Sequence, residues 1–236
     1  MCNYKSAIVV RNPAGGFDLL HHPLVDSHES LVALFNLNDT LTSSGEPRFV
    51  RVEFRPESGG DLSDISAYKL IVDEPCPPAW FGDDPAAVDR ITEKLRTICK
   101  ANIVTEDRGV LAGGPWIIAK GVTVGQVLPF AVVTTNSGTV TDNSGTVTDN
   151  SGTVTANYGT VTTNSGTVTD NSGTVTDNSG TVTANSGTVT ANSGTVTRNY
   201  GTVTANYGTV TDNSGTVTAH SGTVTTNTKY GKILSP

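Results

Sequence analysis

GTVTDNSGTVTDNSGTVTANY, residues 138–158, is three consecutive copies of a seven-residue unit that runs unbroken from Gly138 to Thr228, thirteen copies in all. The glycine, both threonines and the valine never change, and the asparagine changes once, to His220. Variation is confined to the fifth column, as at Asp142, Ala156, Thr163 and Arg198, and to the seventh, as at Ser137, Tyr158, Tyr200, Tyr207 and Thr228. Such tolerance marks positions that face solvent. Recent tandem duplication also leaves uniform copies, so uniformity by itself assigns no function.

One apolar residue per unit excludes a coiled coil, which needs two and is built from helix formers, whereas Gly, Thr, Val, Asn and Ser are poor helix residues. The Thr-Val-Thr triplet predicts a short strand, valine to one side and both threonines to the other. The residues that follow carry turn chemistry: Asn tolerates left-handed backbone and Gly accepts positive φ without steric cost. Each heptad therefore predicts a three-residue strand and a corner. Such units cannot bury a valine alone and must stack into a parallel β-solenoid.

The number of heptads per coil follows from charge, because equivalent positions in neighbouring coils lie only about 4.8 Å apart. At a spacing of fourteen residues Asp142 meets Ala156, Asp149 meets Thr163, Asp170 meets Ala184, Asp177 meets Ala191 and Arg198 meets Asp212. At twenty-one Asp149 would lie on Asp170, and at seven Asp142 on Asp149 and Asp170 on Asp177, all disfavoured pairs. Two heptads per coil are predicted. The result is a flattened tube of two facing sheets over a single valine ladder, roughly 30 Å long at about 4.8 Å per coil. So thin a core needs backbone pairing and in-register asparagine ladders at the corners for its stability.

Composition shifts near residue 130, with most of the charge, both tryptophans and all three cysteines lying before it. Residues 1–128 read as a small α/β domain, 129–228 as the solenoid and 229–236 as a C-terminal cap. In the first domain Ser6–Arg11, Arg48–Phe54 and Lys69–Asp73 predict strands. Asp26 opens a helix with Glu29 as capping-box partner and Leu31, Val32, Leu34 and Phe35 on one face. Pro85 opens a second helix carrying Val88, Ile91, Leu95 and Ile98. Phe130–Val133 keep the heptad register with apolar residues, so this domain is expected to cover the first coil. The tail disfavours strand addition through Lys229, Lys232 and Pro236 and carries Tyr230, Ile233 and Leu234, which fits an end cap or a dimer contact.

The opening MCNYKSA, DSHESL at 26–31, RVEF at 51–54, VDE at 72–74 with Trp80 and Phe81, and LAGGPWII at 111–118 resemble phage-encoded proteins of uncharacterised activity. These join a short N-terminal domain to a variable heptapeptide-repeat tail. The resemblance implies this layout and, for a phage protein, the host cytoplasm. It implies no catalytic residue.

Formal charge of −7 argues against a nucleic-acid groove, which needs a basic footprint. No charged start leads into an apolar leader, and no run approaches a membrane span, so a cytoplasmic protein is expected. Cys2, Cys76 and Cys99 form no disulfide framework.

Three constellations bear on chemistry. Cys2 would become a free N-terminal nucleophile on removal of Met1. It resembles the start of N-terminal-nucleophile amidotransferases or of abasic-site-sensing proteins that begin Met-Cys-Gly. Asn3 replaces that glycine, and Cys2 reads as a packed or inert thiol. His21, His22, Asp26, His28 and Glu29 are metal-ligand types without HxxxH or HExxH spacing, and read as solvated loop and cap residues. Cys76, between Glu74 and Pro77, reads as structural, and Gly113-Gly114-Pro115 is no phosphate loop.

The third is a grid of outward hydroxyls, represented by Thr139, Thr141, Thr146, Thr148, Thr153, Thr155, Thr160, Thr162, Thr167, Thr169, Thr174 and Thr176. Its spacings are about 6.7 Å along a strand and about 4.8 Å between coils. It resembles the threonine faces of ice-binding solenoids, although threonine also simply suits exposed strands. The expectation is a non-enzymatic structural or interaction protein, without metal or cofactor, that binds a protein partner or itself through the solenoid ends. Neither nucleic acid nor membrane is expected as a partner.

Overall fold

The computed structural model describes residues 5–12, 16–22, 25, 27–38, 40–43, 45–56, 60–75 and 77–234. The chain separates into two compact units, Met1–Asn102 and Ile103–Pro236.

The first unit is an antiparallel sheet of four strands, β1 (Lys5–Arg11), β2 (Phe17–Leu20), β3 (Phe49–Pro56) and β4 (Tyr68–Val72), in the order β2-β1-β3-β4. Helices cover both faces, which is why β1 reads as an almost unbroken apolar run. Ala7, Val9, Val50, Val52 and Phe54 pack under α2 (Ala79–Gly82) and α3 (Pro85–Lys100) against Trp80, Phe81, Ile91 and Leu95. Ile8 and Phe49 turn the other way, onto Leu31 of α1 (His28–Leu34).

The starts of the two longer helices, α1 and α3, are capped by side chains, whereas α2 begins after Pro78 without one. Asp84 accepts from the Ala87 amide at 3.0 Å, with Pro85 in the first turn where its missing N–H costs nothing. In α1 the cap is Ser27, accepting from the Ser30 amide, rather than a box between Asp26 and Glu29; Asp26 lies outside the described residues. The expected apolar face of α1 is also narrower, because Leu34 is exposed.

The second unit is a parallel β-solenoid. Every heptad forms one strand, and alternate heptads belong to opposite sheets, giving sheets of nine and ten strands. The pairing Thr139↔Thr153, Val140↔Val154, Asn143↔Asn157 continues coil after coil at fourteen residues. No aspartate stacks on another: Asp170 lies between Ala156 and Ala184, and Arg198 lies beside Asp212.

Three features differ from the reading of the repeat. The solenoid starts earlier, at Ile103 rather than at 129. Five strands precede the repeat, β5 (Ile103–Val104), β6 (Arg108–Leu111), β7 (Trp116–Ile118), β8 (Thr123–Val127) and β9 (Val132–Asn136), and they pair in the same two sheets. Val104, Leu111, Ile118, Val124, Val127 and Val133 extend the buried valine core without spelling out the heptad. Nine coils at about 4.8 Å make this unit about 40 Å long.

The strands are also longer. Each runs through five residues, such as Thr139–Asn143, the first of thirteen repeat strands (β10 to β22) that end at Thr223–Asn227. Val140 and Asn143 are buried while the two residues between them face out, so the strand bends where strict alternation would have continued. The interior therefore holds valine ladders and asparagine ladders together.

Finally, the repeat glycines do not adopt positive φ, which occurs instead at Gly45, Gly113, Gly114 and Gly121. Their need is closeness of approach. A Cβ on Gly180 would strike the carbonyl oxygen of Gly166 one coil below, and every repeat glycine from Gly152 to Gly222 meets its predecessor in this way. Gly166 O also accepts the Thr181 amide at 2.9 Å, so the corner cannot open without breaking the ladder.

Gly180→Ala is accordingly expected to destabilise the solenoid by about 3 kcal/mol, with amide protection lost from the coils on either side. Gly109→Ala, with open space at the added carbon, is expected to be near neutral in the same urea titration.

Candidate functional site

The outer surface of the solenoid is set by what its interior requires. Valines are fully buried, and the asparagines beside them are exposed by no more than 1 % from Asn136 to Asn213. A buried primary amide must find partners for two donors and an acceptor, or cost more than it contributes. Here each amide bonds to the next. On one side Asn136 Nδ2 donates to Asn150 Oδ1 at 2.7 Å, and the relay continues through Asn164, Asn178, Asn192 and Asn206. The other ladder runs from Asn143 through Asn157, Asn171, Asn185, Asn199 and Asn213 to Asn227.

The same Nδ2 groups also reach backbone carbonyls, as Asn164 does to Gly166 and Thr181 at 3.3 Å. Each asparagine carbonyl in turn accepts two corner amides of the coil above, as Asn164 O does from Ser179 and Gly180. His220 ends the first ladder, and its Nδ1 is buried without a partner.

With the amides satisfied inside, the threonines remain outside as aligned columns. Thr139, Thr153 and Thr167 stand beside one another on one sheet, with Thr141, Thr155 and Thr169 carried along by the pairs that flank them. Thr146, Thr160 and Thr174, with Thr148, Thr162 and Thr176, do the same on the opposite sheet. Thr141 is exposed and the other eleven are half-buried. Among the described residues the side-chain hydrogen bonds of the repeat run through the asparagines, apart from the one that Thr228 donates to Ser214, and these twelve hydroxyls take no part in them. Because the strand bends, the fifth column also faces out and sets Asp, Ala or Arg beside the hydroxyls.

Corner residues add a third outward feature. Tyr158 and Tyr200 project from one edge, along with Phe130 in the corner between β8 and β9, and Tyr207 projects from the other; Phe130 is 97 % exposed.

In the first unit, of the residues 21–29 read as solvated loop and cap groups, His28 alone among the described residues belongs to a group of metal-ligand types. Cys2, Cys76 and Asp26 lie outside the described residues, and Glu29 is exposed on α1. Cys99 lies on α3, packed against the aromatic core. His21 has its pKa lowered, first by burial and then by the charges of Lys5, Lys94 and His22. The His22 carbonyl accepts from Lys5 Nζ at 2.7 Å.

His28 is not a solvated cap residue. It is 6 % exposed, with Nε2 3.1 Å from the Val52 carbonyl and Nδ1 3.1 Å from Asp73 Oδ2. Asp73 and Glu53 did not stand out in the sequence because only strand pairing and helix packing together bring them to His28. No motif spacing signals that meeting.

No protein-family model matches the chain, and no curated protein or solved structure matches it. No helix among the described residues is long and apolar enough to cross a membrane.

Three substitutions separate ladder energetics from surface chemistry. Asn178→Ala is expected to cost about 3 kcal/mol by stranding its neighbours' amides, while His220→Asn should raise amide protection in the last coils by extending the ladder. Ala156→Asp would stack three aspartates, at 142, 156 and 170, and is expected to lower the melting temperature in low salt and recover part of the loss at high salt.

Proposed function

We propose that this chain is a non-enzymatic structural or interaction protein whose solenoid presents its threonine columns to a protein partner. The observation that carries the reading is the division of labour inside the heptad. Asparagine amides complete the internal hydrogen bonding, and the hydroxyls are left in register on the outside. A column of hydroxyls at about 4.8 Å spacing offers both donors and acceptors to an extended backbone or another repetitive surface, without the desolvation cost of charge.

Self-association belongs to the same reading. The tail strand β23 (Lys232–Ile233) pairs in parallel with the strand Thr216–His220 of one sheet. The terminal strand Thr223–Asn227 of the other sheet has exposed or half-buried residues throughout, beside exposed Tyr230 and Leu234. An open strand edge flanked by apolar side chains favours end-to-end pairing of two copies.

Full-length protein carrying Thr153→Lys, Thr167→Lys and Thr181→Lys together is the test of the surface. Crosslinked partner or self-assembly captured by the parent chain is expected to be lost from this variant while its circular dichroism stays unchanged. Retention of all contacts would remove the threonine surface from the function. Thermal hysteresis by the parent chain, abolished in the same variant, would instead make the surface ice-binding. Light scattering of Tyr230→Lys/Leu234→Lys is expected to show fewer dimers than the parent.

A further inference from the structure

The first unit holds a cluster that the surface reading leaves unused. His28 opens α1, Glu53 lies in β3 and Asp73 follows β4, on the sheet face that also carries Phe49 and Arg51. One ligand atom from each of the three lies within 4.8 Å of the others. The Asp73 amide donates to the Arg51 carbonyl at 2.9 Å, which extends the β3–β4 pairing by one residue and holds Asp73 beside the histidine.

Hydrogen bonding determines how the imidazole faces its neighbours. The Val52 carbonyl can only accept, so Nε2 carries the proton in that 3.1 Å bond. In the neutral ring Nδ1 then presents its lone pair to Asp73 Oδ2, another lone-pair group, at 3.1 Å. Two acceptors this close require a positive centre. A second proton on the ring would supply one for the pair, and the Glu53 carboxylate stands within 4.8 Å of both as a third ligand atom. Around the cluster Arg51 pairs with Glu74 at 2.8 Å, and Arg55 Nε approaches Glu53 Oε2 at 3.6 Å.

A metal ion uses all three groups. Two ligands at right angles, each about 2.2 Å from one ion, stand about 3.1 Å apart, which is the separation of the His28 and Asp73 atoms. An imidazole held by a backbone carbonyl through one nitrogen while the other points at the ligand position is the usual outer support of a metal-binding histidine. Asp73 is 59 % exposed along its side chain, so an ion can reach the site from solvent and keep water on its open positions.

We propose that His28, Glu53 and Asp73 bind one divalent first-row transition-metal ion, of the manganese or zinc class that accepts mixed imidazole and carboxylate donors. The site joins α1 to the edge of the sheet and is independent of the threonine surface.

The test uses the full chain after chelation and dialysis. Mn2+ titrated against the electron paramagnetic resonance signal of the free ion is the first probe, because manganese disregards the thiols of the three cysteines. Zn2+ followed by calorimetry is the second. One Mn2+ per chain is expected, weakened about tenfold or more by Asp73→Asn and by Glu53→Gln, and unaffected by His220→Gln in the solenoid. His28→Gln should abolish binding, but its burial makes it the riskier variant, so the exposed Asp73→Asn carries the decision, with circular dichroism confirming the fold. Absence of Mn2+ and Zn2+ binding up to about 1 mM, or binding that survives both Asp73→Asn and Glu53→Gln, would overturn the site.

Discussion

The buried amide of the repeat asparagine is the constraint from which the solenoid follows. Placed inside a narrow tube, it has no water to bond, and isolation would cost more than its burial returns. An identical amide about 4.8 Å above and below offers a donor for every acceptor, but only if each coil contains the same number of residues. A coil one residue longer would bring serine or an outward residue to the ladder position. Constancy of the seven-residue unit is thus a requirement of hydrogen bonding as well as a trace of duplication, and His220 is where one of the two ladders stops.

Glycine and valine meet complementary demands of the same stacking. Glycine carbonyls accept the threonine amide of the next coil and stand where a Cβ above would collide, so the corner has room for hydrogen only. Valine fills the remaining width with a β-branched side chain that suits a strand and leaves no polar atom inside. Together these leave only outward positions free to vary. That is why Asp, Arg, Ala, Ser and Tyr appear where they do, without touching the frame.

The first unit solves its packing in the ordinary way, with a sheet covered on both faces, an aromatic core around Trp80, Phe81 and Phe54, and side-chain caps at both longer helices. Its candidate chemistry depends on crossing strands. Three residues remote in the chain converge because β3 pairs with β4 and α1 packs on β1, the other neighbour of β3, and the Val52 carbonyl of β3 turns the imidazole to face them.

Read from the sequence alone, the repeat determined its secondary structure class, the parallel stacking and the two-heptad coil, because one valine per unit and the placement of aspartates leave few alternatives. Pro85 and the apolar spacing after it likewise marked α3. The positions beyond local periodicity were decided by the fold. Leu111, Ile118 and Val124 enter the solenoid although they belong to no heptad, since a column accepts any apolar residue of fitting shape. Asparagine proved to be an interior residue, and the corner glycines proved to serve close approach, because both roles exist only between coils. The meeting of His28, Glu53 and Asp73 had no local signature at all, for the distance between side chains is set by strand register and helix packing, which a linear spacing does not contain.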